Sequence, residues 1–165
     1  MTADSVTTIM VGLGEVKVSG DPATVLACLG LGSCVAVSVF DPMVKVGAMA
    51  HIVLPKSHGK TGDRAGRYAD IAVPLLLKNI RKLGGVDSRL EIFLAGGAQM
   101  SQAPGLGTAF KIGEDNVAAV YAVLAAEGLK PKASDTGGNK GRTMRLYIES
   151  GTATVASAGQ ENKEL

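Results

Sequence analysis

Cys34 and His51 are the two side chains whose types and spacing suit nucleophilic chemistry. Cys34 closes the run Gly30-Leu31-Gly32-Ser33, and His51 follows across a strand–turn–strand pattern. Residues 35–40 and 45–54 are β-branched runs, separated by the turn signal Asp41-Pro42-Met43-Val44. A turn centred on Pro42 and Met43 pairs Asp41 with Val44, and counting outward from there sets Cys34 directly opposite His51. Facing side chains of an antiparallel pair share one side of the sheet, with Cβ atoms ~4.5–5.5 Å apart. A slip of one residue would send the two to opposite faces.

An imidazole at that distance can draw a thiol down from its free pKa of about 8.5 into a thiolate–imidazolium pair. The thiolate attacks an acyl carbon, and His51 protonates the leaving group and then activates water. Gly32 and Ser33 bring the backbone close, with N–H groups able to face an oxyanion. The same residue types also fit a small buried Cys34 and a core His51. The two faces of the hairpin differ. Val35, Val37, Val39, Val46, Ala48, Ala50 and Ile52 read as core; Cys34, Ala36, Ser38, Gly47, Met49 and His51 read as a face of small residues with room for a substrate.

Other motif fragments fail on counting. Gly59-Lys60-Thr61 lacks the glycine that a phosphate loop needs at position 54, where Leu54 stands. Gly30-x-Gly32 lacks a third glycine at Val35, and Cys28, Cys34, His51 and His58 have no tight metal-ligand spacing. Gly137-Gly138-Asn139 with Arg142 fits either an anion site or a tight turn before a strand.

A chain of 165 residues is one domain at roughly 100–200 residues per domain. It can bury about 70% of its unfolded surface without staples. Seventeen basic against 15 acidic residues give +2, and six aromatics without Trp offer few stacking platforms, which argues against nucleic-acid binding. No run approaches the ~20 apolar residues of a membrane span, and the N-terminus has no basic region of a secretory signal. Two cysteines suit a reducing compartment, so a cytoplasmic protein without membrane insertion is expected. Strands are expected at residues 6–11, 16–18 and 91–95, and a hairpin at 143–149 with 152–157, while 25–31 is an apolar run ending in glycines. Helices are expected over 68–83, with Pro74 kinking it or marking a late start, and over 115–127. Residues 57–66 and 134–142 read as exposed loops, and the polar tail 158–165 as frayed. The whole reads as an α/β layer structure with a largely antiparallel sheet.

The segment Leu29-Gly-Leu-Gly-Ser-Cys34-Val-Ala, then Asp41-Pro42, Lys45-Val-Gly-Ala-Met-Ala-His51 and Leu54-Pro55, resembles the CheD family of chemoreceptor glutamine deamidases. The likeness continues through Tyr68-Ala-Asp70, Ala95-Gly-Gly-Ala98, Ile112-Gly-Glu-Asp-Asn116 and Asp135-Thr-Gly-Gly-Asn139 with Gly141-Arg142, covering about residues 8–156. It implies a three-layer α/β sandwich similar to the catalytic domain of deamidating bacterial toxins, as one domain over 1–157 followed by the tail 158–165. It implies hydrolysis of selected glutamine side-chain amides on methyl-accepting chemotaxis receptors to glutamate and ammonia. Cys34 matches the family nucleophile and His51 the general base, with Gly32 and Ser33 as oxyanion support and no cofactor. Where the family has a catalytic threonine, this chain has Cys28, a weaker hydrogen-bond donor that keeps its place among the site residues. A reversible Cys28–Cys34 disulfide is also open.

The likeness further implies receptor cytoplasmic helices as partners, in a groove rimmed by loops 57–66 and 134–142, and the phosphatase CheC as a second partner. Two other readings share the same residues: a non-enzymatic chemotaxis regulator that binds CheC or receptors, and a different cysteine amide or ester hydrolase.

Overall fold

Alternation of side chains along one central hairpin divides the molecule into its two cores. The computed structural model describes residues 5–59, 62, 65–100 and 111–165. Its elements are β1 (Thr7–Met10), β2 (Val16–Ser19), β3 (Thr24–Leu31), β4 (Val35–Asp41), β5 (Val46–Ile52), α1 (Ala69–Lys82), β6 (Glu91–Gly96), α2 (Ile112–Ala126), β7 (Ala133–Thr136), β8 (Arg142–Tyr147), β9 (Ala153–Ser157) and β10 (Lys163–Glu164). They form a mixed α/β structure with two five-stranded sheets, ordered β1-β3-β8-β9-β10 and β2-β5-β4-β6-β7. Neighbouring strands run antiparallel except β1 with β3 and β6 with β7.

Odd-numbered residues of β4 (Val35, Val37, Val39) and even-numbered residues of β5 (Ala48, Ala50, Ile52) pack with α1 and α2. The period of α1 delivers Ala69, Ala72, Val73, Leu76, Leu77 and Ile80 to that contact. Pro74 does not delay the helix, which starts at Ala69 and runs through it. The opposite face of the hairpin is not open space. Ala36, Phe40 and Met49 are fully buried against Leu26, Met144 and Leu146 of the other sheet. Gly47 is small because a Cβ there would stand 2.6 Å from Ile148 Cδ1 and 2.9 Å from Leu146 Cδ2. A strand pattern shows which residues share a face, and not whether a second sheet covers that face.

The expected frayed tail also folds. Lys163 and Glu164 pair antiparallel with Val155 and Thr154, and the Leu165 N–H donates to the Ala153 carbonyl. Residues 134–136, expected in a loop, belong to β7 and lie parallel to β6.

The β4–β5 connection is organised by one buried carboxylate. Asp41 accepts from the Met43 N–H (2.9 Å), the Val86 N–H (2.9 Å) and the Arg89 guanidinium, whose Nη2 lies 2.9 Å away. Burial alone would raise its pKa, but Arg89 and the N–H groups of Val86, Met43 and Val44 outweigh it and hold the carboxyl at about 2, below the ordinary 3.8. Such a group stabilises the fold fully above pH 3.8 and loses its contribution as pH falls through about 2. Asp41→Asn is therefore expected to remove on the order of 2 kcal/mol at pH 7. Urea titrations of both proteins should show that gap closing as pH falls from 4 toward 2.

Candidate functional site

The hairpin register decides where Cys34 stands relative to His51. Asp41 pairs with Val46, not Val44, because the turn holds four residues and Lys45 closes it at φ 53°. Counted outward, Ala36 stands opposite His51, and Cys34 lies just before β4. The register differs from the expected one by two residues, which preserves parity. Cys34 and His51 therefore share a face as diagonal neighbours, whose backbone positions are typically ~7–8 Å apart. Direct opposition is corrected; the shared face stands.

His51 is almost wholly buried, and its Nδ1 lies 2.9 Å from the Val11 carbonyl oxygen. A carbonyl only accepts, so Nδ1 carries the proton and the neutral ring keeps its lone pair on Nε2. Val11 is itself fixed, its N–H donating to the Ala27 carbonyl at 2.8 Å as β1 runs beside β3. The backbone of His51 is clasped by the following turn: its N–H donates to the Glu15 carbonyl and its carbonyl accepts from the Gly14 N–H. Val11 escapes sequence reading because the orienting atom is a main-chain carbonyl, which no residue type announces.

Three consecutive carbonyls anchor the nucleophile loop. Gly32 accepts from the Ala98 N–H at 2.8 Å, Ser33 from Asn116 Nδ2 at 3.0 Å, and Cys34 from the Gly97 N–H at 2.8 Å. Gly96 has φ +115°, and a Cβ there would run into the Cys34 carbonyl. Gly32, Ser33 and Cys34 are half-buried, and a Cβ on Gly32 would sit 3.0 Å from Met100 Cγ. Burial pushes the Cys34 thiol above its ordinary value, and its own backbone N–H, within reach of the sulfur, opposes the rise. Burial thus works against the thiolate that the expected ion pair requires.

Cys28 is fully buried between the sheets, its thiol pushed strongly up by burial and by the neighbouring Cys34. Both cysteines are free. The hydrogen bond that orients His51 goes to Val11 and not to Cys28.

Around the loop, Arg142 is turned inward. Its Nη1 donates to the Asp135 carbonyl (2.7 Å) and carboxylate (2.6 Å), and its Nη2 to the Gly137 carbonyl. Those donors close the 137–141 turn, which favours the turn reading over the anion site. The Gly137 N–H and the Gly138 carbonyl bind Gly96 and Gln99, so this turn lies against the Cys34 anchors. In loop 57–66, Ser57 is tied to Asp70 through its N–H (3.0 Å) and Oγ (2.9 Å), while Lys60, Thr61, Asp63 and Arg64 lie outside the described residues. Among the described residues no three His, Cys, Asp or Glu side chains converge as a metal site, and no helix is long and apolar enough to cross a membrane.

The family model described as CheD chemotactic sensory transduction matches residues 53–157. The chemoreceptor glutamine deamidase CheD of Thermotoga maritima is 47% identical over 150 residues, covering 91% of this chain and 92% of its own. Similar are the probable chemoreceptor glutamine deamidases CheD of Symbiobacterium thermophilum, 43% identical with 94% and 95% covered, and of Desulforamulus reducens, 40% identical with 94% and 93% covered. The family match begins after Cys34 and His51, but a span covering 91% of the chain takes in both wherever it starts. Among solved structures, the Bacillus licheniformis hypothetical protein YfiH is 12% identical over 81% of this chain and 60% of its own, with a TM-score of 0.45.

A thiol pushed up by burial makes a measurable statement about reactivity. Alkylation of Cys34 by iodoacetamide, followed by mass spectrometry, should keep accelerating above pH 9 with no plateau near neutrality. Cys28 should stay unmodified until the protein is unfolded.

Proposed function

The chain belongs to the CheD family and is a chemoreceptor glutamine deamidase; we propose that Cys34 is its nucleophile and His51 its general base. The observation that carries this reading is the His51 ring, fixed through Nδ1 on Val11 so that Nε2 is free on the face it shares with Cys34. As the substrate amide docks, Nε2 takes the thiol proton and Cys34 Sγ attacks the glutamine side-chain carbonyl carbon. The tetrahedral oxyanion is held by N–H groups of the Gly32–Cys34 loop, in which Gly32 and Ser33 are the support residues. His51 returns its proton to the nitrogen, ammonia leaves and a thioester remains. Water deprotonated by His51 then hydrolyses the thioester, releasing glutamate and restoring the thiol. The residues suffice for this hydrolysis without a cofactor.

Cys28 occupies the position of the family's threonine and walls the site behind Cys34, while the Val11 carbonyl performs the orienting role. The substrate glutamines are those of methyl-accepting chemotaxis receptor helices in the cytoplasm, with loops 57–66 and 134–142 as rims, and CheC is a second partner. The packing of helices on one sheet and that sheet on a second supports a three-layer sandwich of the deamidating-toxin kind, to which β10 adds an edge strand beyond the expected boundary at 157.

The test is mass spectrometry of a purified receptor cytoplasmic fragment after incubation with the protein. Wild type should convert selected glutamines to glutamate, and Cys34→Ala should abolish conversion. His51→Ala should slow it by ~10²–10⁴-fold, the usual worth of a general base. Cys28→Thr should change the rate by less than about threefold, since the hydrogen bond to His51 does not pass through it. Receptor binding without conversion by wild type would sink the enzymatic reading in favour of a regulator.

A further inference from the structure

Asn116 sits in the second turn of α2, fully buried, and reaches both halves of the site. Its Nδ2 donates to the Ser33 carbonyl at 3.0 Å and to the Val53 carbonyl at 2.9 Å. Ser33 precedes the nucleophile, and Val53 follows the strand that carries His51. Two carbonyls cannot face an amide oxygen, so the nitrogen must point at them. The Oδ1 is then left buried with no partner. An unpaired buried acceptor is uncommon and destabilising, so it is a feature that asks for a function.

Geometry supplies one. In a trans peptide the C=O and the following N–H point in opposite directions. Holding the Ser33 carbonyl inward toward α2 turns the Cys34 N–H outward, to the side of its own sulfur, where that N–H is found within reach of Sγ. The oxyanion of a tetrahedral adduct forms on the atom bonded to that sulfur's partner carbon, so this N–H is placed to receive it. The neighbouring Gly32 and Cys34 carbonyls are held by main-chain N–H groups of Ala98 and Gly97. Ser33 alone is held by a side chain.

We infer that Asn116 is a positioning residue that locks the Ser33–Cys34 peptide with its N–H facing the oxyanion. The inference rests on Cys34 being the nucleophile. It separates two reactions of the same thiol: amide hydrolysis passes through an oxyanion, whereas alkylation by iodoacetamide does not.

The experiment compares Asn116→Ala and the near-isosteric Asn116→Asp with wild type. Both should lose ~10²–10³-fold in kcat for receptor deamidation, the range for one oxyanion donor, with KM little changed. The rate of Cys34 alkylation at alkaline pH, where the thiol is ionised, should match wild type, while loss of the N–H beside Sγ should move the midpoint of its pH profile upward. Unchanged kcat, or alkylation falling in step with deamidation, would overturn the inference. A measurement on wild type stands apart from the folding of either variant. A short peptide aldehyde, with the aldehyde carbon in place of the glutamine amide carbon, should form a thiohemiacetal with Cys34 and shift the Cys34 amide ¹H–¹⁵N resonance downfield in ¹H. An adduct that leaves that resonance bonded as before would refute the assignment. Wild type that deamidates no receptor refutes the function; active wild type with unaffected Asn116 variants refutes only this role.

Discussion

The position of His51 depends on a carboxylate at the far end of its hairpin. Asp41 binds Met43, Val86 and Arg89 at once, and so stabilises a four-residue connection instead of a two-residue one. Every pairing along β4 and β5 follows from that choice, down to Ala36 opposite His51. A two-residue change of register is the smallest that keeps each side chain on its own face. The hairpin thus sets the stagger between thiol and imidazole from five rungs away, through strand geometry and not through any contact with the site.

The faces of that hairpin were legible because strand alternation is strict, and parity survives an even error in turn length. The turn length itself was hidden. Lys45 takes a left-handed conformation that its residue type does not advertise, held by its N–H on the Asp41 carbonyl. The small residues Ala36, Ser38 and Gly47 suggested a cavity, whereas Ala36 is buried in the core between the sheets and Gly47 makes room for Leu146 of β8 and for Ile148 just beyond it. Small size tells that something approaches closely, and not what. Cys34, His51 and the loop glycines were readable through their side chains or lack of them. Val11 was not, since its contribution is a carbonyl. Arg142 fitted either an anion site or a tight turn, and only the folded loop shows Nη1 and Nη2 donating to Asp135 and Gly137.

The electrostatics of the site follow from its burial between two sheets. Desolvation pushes the Cys34 thiol up and so works against its ionisation. The base must then already be in the correct tautomer, and a hydrogen bond to a main-chain carbonyl accomplishes that without adding a charge. Cys28, with its strongly raised thiol behind Cys34, preserves the same apolar surroundings.

The anchoring of the nucleophile loop also shapes how the protein tolerates genetic change. Backbone N–H groups of Gly97 and Ala98 hold two of its three carbonyls, and no point substitution other than to proline deletes a backbone donor. Inactivation by trimming side chains therefore has few targets here. Added bulk is different: a single methyl at Gly96 meets the Cys34 carbonyl, and one at Gly113 would stand 2.5 Å from the Ala98 carbonyl and 2.6 Å from that of Gly97. In a random library, alanine-scanning losses around the thiol should be sparse, while glycine positions that never touch a substrate should rank with the nucleophile itself in intolerance.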